Sequence, residues 1–329
     1  MEIACVTLGR IDVDDRTFDL SFGRRYEGLQ VSIAAVGVLQ PVIVRPPAGR
    51  EGASGDRVAV VCGFGRVRVA VALGLGTIPV RILDEATSDG DCLRLALFDN
   101  LAHRRFNALE RAIILEKLAP HVDRERLITQ YLPRLGMQAS AVLFDRTMAL
   151  NRLIPALQTA AAEERIEPNV AARLCEVGAG DQEAVAALLA RCRPSVSIAR
   201  EWIDTLLDIA RRDGCSVAAI LAAPPVRSIL ESDEPSAAER TAALRRRLHG
   251  LRYPTLLDCE TRFCEARERL RLPPSMRLEP ASSFESDERR LEIRFCNEAQ
   301  LRAAADRIAR WFDDPSLPKR LWPERSGKE

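Results

Sequence analysis

The stretch Val58-Ala-Val-Val-Cys-Gly-Phe-Gly-Arg-Val-Arg-Val-Ala70 decides the fold of the first hundred residues. Its first five residues form an apolar run typical of a buried strand, and a Gly-x-Gly turn then leads directly into a helical pattern. Glycines let a backbone approach a ligand closely, amides at a helix start point outward, and an arginine donates two parallel hydrogen bonds. The segment therefore predicts a phosphate-sized anion site, with ordinary turn chemistry as the alternative. It is neither a Rossmann nor a P-loop signature, because it lacks the third glycine and the Gly-Lys-Ser/Thr sequence.

The residues on either side of this stretch alternate short strands with helices. Apolar runs at 40–45 and 77–83 predict two further strands, and the turn-rich segment 46–57 predicts a surface connection. Helical spacing of apolar residues predicts a helix over 27–36 that ends at Gly37, and another over 66–73. These elements predict a mixed α/β domain.

From residue 88 onward the pattern is almost entirely helical. Ser88 is expected to cap a helix whose first turn carries Asp89 and Asp91, and a second apolar stripe runs from Leu109 to Leu118. Short connections then separate six more predicted helices, which together describe a compact helical domain. They span 124–135, 138–150, 153–163, 168–176, 181–191 and 196–212.

The last third of the chain has a different character. Alanine, proline, serine and acidic residues between 222 and 236 predict a linker. An arginine-rich helix follows, then strands from Met276 to about Glu279 and over 290–295, a helix over 301–312 and a frayed tail after 315. We therefore expect an α+β protein with domains at 1–98, 99–221 and 237–329, the last a small α/β domain.

Composition sets limits on the function. The 48 basic and 47 acidic side chains leave a net charge of +1, which argues against a uniformly basic nucleic-acid coat protein. No apolar run approaches the roughly 20 residues of a membrane-spanning helix, and no signal for export is recognisable. We expect a cytoplasmic protein with no membrane partner, nucleoid-associated if it binds DNA. The nine cysteines form no Cys-x-x-Cys pair and are expected to be free thiols.

Residues 124–150 could form a helix-turn-helix with Gly136 in the turn. The polar start of its second helix makes Gln138 and Ser140, with Arg146, the candidate DNA contacts. Acidic residues such as Asp145 reduce the positive charge that this helix could present to DNA. Two packed core helices are therefore the alternative.

A stronger basic segment covers 240–271, where nine arginines face four acids for a net charge of +5. Arg245, Arg246 and Arg247 are its candidate phosphate contacts. A solvated helix face is the alternative explanation.

Four motifs in order resemble the amino-terminal domain of ParB-like partition proteins, within the ParB/sulfiredoxin superfamily. The resemblance is specific over about residues 10–120 and is absent beyond 237. The motifs are VSIAAVGVLQPVIV (31–44), VVCGFGRVRVA (60–70), LGLGTIPV (73–80) and DNLAHRRFNALE (99–110). The resemblance implies a ParB-like mixed α/β domain that binds CTP, or another nucleoside triphosphate, with magnesium.

The resemblance also implies roles for individual residues. The glycine turn would hold phosphates, and the acidic-Asn motif would stand where the family contacts metal and phosphate. A histidine or arginine after this motif would replace the family's arginine. The implied nucleotide-binding residues are Gly63, Gly65, Arg66, Arg68, Asp99, Asn100, His103 and Arg104, with Asp99 and Asn100 also the implied magnesium ligands.

One departure from the family pattern bears on catalysis. The family's Gly-Glu-Arg-Arg reads Gly-Phe-Gly-Arg here, so Phe64 and Gly65 replace a charged pair. Loss of an arginine that can steady transition-state charge affects hydrolysis more than binding. Whether the protein is a nucleoside triphosphatase stays open. Phe64 also argues against the catalytic cysteine of sulfiredoxins.

The leading hypothesis is a nucleotide-binding, DNA-binding protein of chromosome or plasmid partition or of transcriptional regulation. It would act as a homodimer switched by nucleotide, while a partner ATPase is left open. One alternative is a small-molecule kinase or nucleotidase of the same superfamily, using Asp99 and Glu110. The other is a degenerate adaptor that binds protein, in which Phe64 and Gly65 mark a pocket that has lost nucleotide binding.

Overall fold

A computed structural model describes residues 3–46, 57–232, 236–280 and 289–313 of the chain. The described residues belong to two compact units. One unit lies within Met1–Asp204 and Ser216–Leu221, and the other within Thr205–Cys215 and Ala222–Glu329. The predicted surface connection at 46–57 and the predicted frayed tail fall almost wholly outside the described residues.

The first unit is built on a five-stranded mixed sheet in the order β1-β5-β3-β4-β2. Most β-branched residues of its three central strands are buried, as such residues favour a pleated, packed surface: Val42, Val44, Val58, Val60, Val61, Ile78 and Val80. β1 is antiparallel to β5, β3 is parallel to β5 and antiparallel to β4, and β2 is parallel to β4. The strands are β1 (Ile3–Thr7), β2 (Ile11–Asp12), β3 (Val42–Arg45), β4 (Val58–Cys62) and β5 (Thr77–Ile82).

Four helices follow or connect these strands, and the mixed α/β class predicted from sequence is confirmed. The predicted helix that ends at Gly37 has the expected bounds, with Gly37 at φ +74°. The helix predicted to start at Arg66 starts at Phe64 instead, because Gly63 adopts the left-handed conformation and begins the helix. The helices are α1 (Glu27–Val36), α2 (Phe64–Ala72), α3 (Asp89–Leu101) and α4 (Ala108–Leu118).

One hydrophobic core extends from the sheet into the helices. Phe18 and Val61 pack in the same buried cluster as Leu97, Leu115 and, further along the chain, Phe144. The boundary predicted between residues 98 and 99 falls inside α3 and runs through this core. The first two predicted domains therefore share one compact unit.

The helical region matches the sequence pattern closely. A π-helical turn, Leu127–Tyr131, joins α5 and α6. The helix predicted from residue 138 begins at Ala141, because Ser140 is extended and caps it. The helices are α5 (Arg124–Arg126), α6 (Leu132–Arg134), α7 (Ala141–Ala149), α8 (Pro155–Ala162), α9 (Pro168–Leu174), α10 (Ala179–Cys192), α11 (Val196–Asp213) and α12 (Val217–Ala222). None of the helices in the described ranges is long and apolar enough to cross a membrane.

The second unit contains a helix where the sequence predicted only a linker. Pro224 and Pro225 occupy the first helical turn of α13, where a proline needs no amide partner and its φ suits the helix. The linker predicted over 222–236 therefore contains a helix that the sequence did not indicate, and 233–235 lie outside the described ranges. Besides the end of α11, the unit comprises α13 (Pro224–Glu231), α14 (Ala237–Arg252), α15 (Pro254–Leu270), β6 (Met276–Pro280), β7 (Arg289–Ile293) and α16 (Glu298–Asp313). β6 and β7 form an antiparallel pair.

Candidate functional site

A cavity of about 300 Å³ lies where β4 turns into α2, facing the carboxyl end of α3. Seven of the eight residues that the sequence predicted for nucleotide binding line it: Gly63, Gly65, Arg66, Asp99, Asn100, His103 and Arg104. Nine further residues complete the wall: Phe18, Leu20, Ser21, Arg24, Tyr26, Gln40, Val61, Cys62 and Phe64.

The floor of the cavity is the start of α2. Gly63 has φ +97°, a conformation that L side chains rarely adopt, and a Cβ there would lie 3.0 Å from Arg66 Nε. Gly63 has no side chain with which to cap the helix, and the Arg66 amide donates to the Gly63 carbonyl at 2.9 Å, which leaves the Phe64 and Gly65 amides for other acceptors. A helix start of this kind favours an anion.

Arg66 is anchored at the edge of the cavity by backbone carbonyls. Its Nη1 donates to the carbonyl oxygens of Gln40 at 2.8 Å and Pro41 at 2.9 Å. Gln40 and Pro41 directly precede β3, so the guanidinium joins two elements of the site: the entry to β3 and the start of α2. The remaining nitrogens leave Arg66 able to contact an anion.

Arg68, the eighth predicted residue, does not line the cavity. It forms an ion pair with Asp19, and its Nη1 donates to the Tyr26 hydroxyl at 3.1 Å. Burial raises the pKa of the Asp19 carboxyl, against the opposing effects of the Ser21 amide and Arg16. Burial also raises the pKa of Tyr26. Arg68 therefore supports the wall of the cavity from behind.

Glu110 holds the two arginines on the opposite wall. Its side chain is fully buried, and Oε1 accepts hydrogen bonds from Arg104 Nη1 at 2.6 Å and Arg24 Nε at 2.9 Å. Oε2 accepts from the Asn107 amide at 3.0 Å, which completes a capping box at the start of α4. Burial alone would raise the pKa of Glu110, but the hydrogen bonds from Arg24 and Arg104 outweigh it and hold the pKa below its usual value.

The implied magnesium ligands fit a metal ion poorly. Asp99 offers an exposed carboxylate. The Asn100 amide is already used, because Nδ2 donates to the Ala96 carbonyl and Oδ1 accepts from Arg104 Nε, both at 2.7 Å. Among the described residues, no cluster of three or more His, Cys, Asp or Glu side chains could hold a metal.

Two apolar residues of the cavity wall have structural roles. Phe64 packs against both buried clusters of the first unit. Cys62 is buried, and desolvation, assisted by Asp99, raises the pKa of its thiol to about 12. A thiol with this pKa is not a nucleophile at neutral pH.

Four polar cavity residues were not named from the sequence: Ser21, Arg24, Tyr26 and Gln40. Gln40 lies inside one of the quoted motifs and could have been included on that signal. Arg24 and Tyr26 belong to no local pattern, and their partners are far away in sequence.

The family model of the ParB N-terminal domain matches residues 22–101. This segment of the chain is therefore similar to the ParB N-terminal domain. The match begins just before α1 and ends with α3, so it contains Gly63, Asp99 and Asn100 but stops before His103 and Arg104.

The chain spans only part of the length of the curated relatives that it matches. A probable chromosome-partitioning protein ParB of Pseudomonas putida is 28% identical over 181 residues, which is 54% of this chain and 58% of that protein. A probable chromosome-partitioning protein ParB of Mycobacterium leprae is 39% identical over 87 residues, which is 26% of this chain and 25% of that protein.

Two solved structures of the Caulobacter crescentus chromosome-partitioning protein ParB, both truncated at the C terminus, also align with this chain. The one complexed with CTP-gamma-S is 23% identical and covers 58% of this chain and 99% of that one, with a TM-score of 0.26. The one complexed with the centromeric parS site is 19% identical. That alignment covers 60% of this chain and 97% of the solved one, with a TM-score of 0.33.

The candidate DNA contacts on α7 are partly engaged within the first unit. Ser140 Oγ accepts the Leu143 amide at 3.4 Å, so this residue caps α7. Gln138 is exposed after the turn at Gly136, where φ is +76°. Arg146 is exposed, and its Nη1 lies 3.4 Å from Asn169 Oδ1.

The candidate contacts on α14 differ from one another. Arg245 and Arg246 are exposed, whereas Arg247 is half-buried. The Nε atom of Arg247 is buried. The exposed pair is therefore better placed than Arg247 to reach a phosphate.

Proposed function

We propose that this chain is a ParB-like protein that binds a nucleoside triphosphate of the CTP type and binds DNA in chromosome or plasmid partition. One observation carries the proposal. Residues from two separate family motifs, the Gly63–Arg66 turn and the Asp99–Arg104 segment, line the same cavity although more than thirty residues separate them.

The charge of the cavity suits a polyphosphate. Arg24, Arg66 and Arg104 carry positive charge on its wall, and the amides at the start of α2 add the partial charge of the helix dipole. Asp99 is the acidic side chain among its lining residues. Guanidinium groups donate bidentate hydrogen bonds to phosphate oxygens, so this wall favours a triphosphate over a neutral ligand.

Isothermal titration with CTP, ATP and GTP in magnesium buffer tests nucleotide binding. We expect binding by the native protein and a loss of about tenfold or more in Arg66→Ala, because a hydrogen bond to a charged group is removed. Arg81→Ala is the matched control, since Arg81 is exposed on β5 and does not line the cavity. Absence of heat with every nucleotide would contradict the proposal.

The DNA-binding part of the proposal rests on the two helical segments around Gly136. The glycine at φ +76° makes a tight turn before α7, and Gln138 and Arg146 lie exposed on the side of α7 and its approach. This order of helix, turn and capped helix is that of a helix-turn-helix. Fluorescence anisotropy with a labelled duplex at several salt concentrations tests it, and salt-independent retention would argue against DNA.

We further propose that nucleotide biases the association of two copies, with residues 99–118 as the moving part. Glu110 supports this choice, because it joins the cavity arginines to the start of α4. Light scattering with and without nucleotide measures the association. An unchanged mass at saturating nucleotide would contradict the switch.

The kinase or nucleotidase alternative receives no support from Glu110. A catalytic carboxylate must reach a substrate, whereas Glu110 is fully buried and accepts four protein hydrogen bonds. Release of product from a nucleotide in the absence of DNA would nevertheless favour the enzyme.

A further inference from the structure

Both polar atoms of the Asn100 side-chain amide form hydrogen bonds within the protein. Nδ2 donates to Ala96 within α3, which fixes the orientation of the group, and Oδ1 accepts from Arg104 Nε at 2.7 Å. A magnesium ion bound to Oδ1 would sit about 2 Å from that oxygen and therefore within a few ångströms of the guanidinium. Two positive charges at such a distance repel strongly in a partly desolvated site.

Arg104 cannot easily move aside for a metal ion. Its Nη1 pairs with the buried Glu110 at 2.6 Å, its Nη2 donates to Ser21 Oγ at 3.3 Å, and its guanidinium lies 4.5 Å from the centre of the Phe106 ring. Moving Arg104 would leave the fully buried Glu110 carboxylate with fewer donors, which is costly. The positive charge at this position is thus the Arg104 guanidinium, which its contacts with Glu110, Ser21 and Phe106 hold in place.

The carboxylates of the site also fall short of a metal set. Asp99 is the acidic residue among those that line the cavity. Glu110 lies outside the lining, and its carboxylate oxygens already accept hydrogen bonds from Arg24, Arg104 and the Asn107 amide. Magnesium prefers six oxygen ligands and commonly uses one or two carboxylates together with phosphates and water. Here an arginine stands among the oxygens that would hold it.

We infer that Arg104 takes the place of the divalent cation, and that the cavity binds a nucleoside triphosphate without magnesium. This inference rests on the proposed nucleotide binding and deepens it. Glu110 is then a positioning residue, because it holds Arg104 and Arg24 toward the phosphates without touching them.

Titration of CTP and of inorganic triphosphate in EDTA and in magnesium buffer tests the inference. We expect the dissociation constant of the native protein to differ by less than about threefold between the two buffers. Asp99→Asn should bind in EDTA as tightly as the native protein or more tightly, because it removes a negative charge that faces the phosphates. Arg104→Gln should weaken binding in EDTA by about tenfold or more, and Arg81→Ala should leave it unchanged.

The outcomes separate the inference from the function on which it rests. Binding that requires magnesium and is lost in Asp99→Asn would overturn the inference and leave nucleotide binding intact. Absence of binding by the native protein in both buffers would overturn both. Asp99 is exposed, so Asp99→Asn keeps the test decisive even if Arg104→Gln does not fold.

Discussion

The ring of Tyr26 lies directly against Gly65. A Cβ atom on Gly65 would be 2.6 Å from Tyr26 Cε1, closer than such atoms approach in proteins. The ring is held by Arg68, whose Nη1 donates to the hydroxyl and whose guanidinium lies 5.9 Å from the ring centre. Tyr26 therefore occupies the space that a side chain at position 65 would need.

Gly65→Ala should destabilise the protein by about 1–3 kcal/mol, the usual cost of overpacking. The added methyl group must displace the Tyr26 ring and disturb its contact with Arg68. In the double variant with Tyr26→Ala, the methyl group has room and the cost of adding it should largely disappear. Urea unfolding of the two single variants and the double variant measures the coupling between them.

Gly76→Ala is the control for this cycle, because a Cβ there meets nothing within 4 Å. Its free energy of unfolding should stay within about 0.5 kcal/mol of the native value. Equal destabilisation by Gly65→Ala with and without the Tyr26 ring would show that the contact is not the cause.

Glu110→Gln should lower stability by about 3–5 kcal/mol at neutral pH, because it breaks a buried ion pair and leaves Arg104 and Arg24 without their carboxylate. The pKa of Glu110 is depressed in the folded protein, so its contribution is present above the unfolded value of about 4.3 and is lost as pH falls through the folded value. The difference in unfolding free energy between native protein and variant should therefore shrink as pH falls below about 4.

Urea unfolding at a series of pH values measures this difference. Glu163→Gln is the matched control, since Glu163 pairs with Arg165 on the surface and both side chains are about half exposed, 55% and 52%. A surface pair contributes about 0–1 kcal/mol, so the control should show a small difference at every pH. A large difference for Glu110→Gln that does not change with pH would contradict the assigned ionisation.

Cys62 should resist alkylation in the folded protein. With a pKa of about 12 and a buried side chain, it exposes almost no thiolate at pH 8. Cys215 is exposed and serves as the internal reference. Peptide mass spectrometry after iodoacetamide treatment should find Cys215 labelled and Cys62 labelled only in urea, and equal labelling in the native protein would refute the burial.

Local signals predicted much of the fold. The helix Glu27–Val36 ends where expected, because Gly37 accepts a positive φ. β1 went unpredicted, since Ile3–Thr7 is an edge strand whose residues alternate between half-buried and exposed. The helix Pro224–Glu231 was missed because the composition of 222–236 was taken to indicate a linker, although Pro224 and Pro225 both suit a first helical turn.

The same difference between local and long-range signals explains which site residues could be predicted from the sequence. Gly63 and Asp99 could be predicted because each lies in a motif whose meaning is local. Arg24 could not, because its partner Glu110 is 86 residues away and only the folded chain brings them together. Arg68 was assigned to the nucleotide because of its place in the motif. In the folded chain it forms an ion pair with Asp19, 49 residues away, and does not line the cavity.

If the basic helix α14 contacts DNA, Arg246→Ala should reduce the salt dependence of binding. Each phosphate contact releases a counterion, so its loss should lower the slope of log K against log salt by about 0.9. Arg262→Ala is the control on α15, because Asp258 pairs with Arg262 at 2.8 Å and leaves it less able to bind phosphate. Anisotropy of a labelled duplex at four or more salt concentrations measures both slopes. Identical slopes for the native protein and Arg246→Ala would remove Arg246 from the DNA interface and leave α7, with Arg146, as the surface to test next.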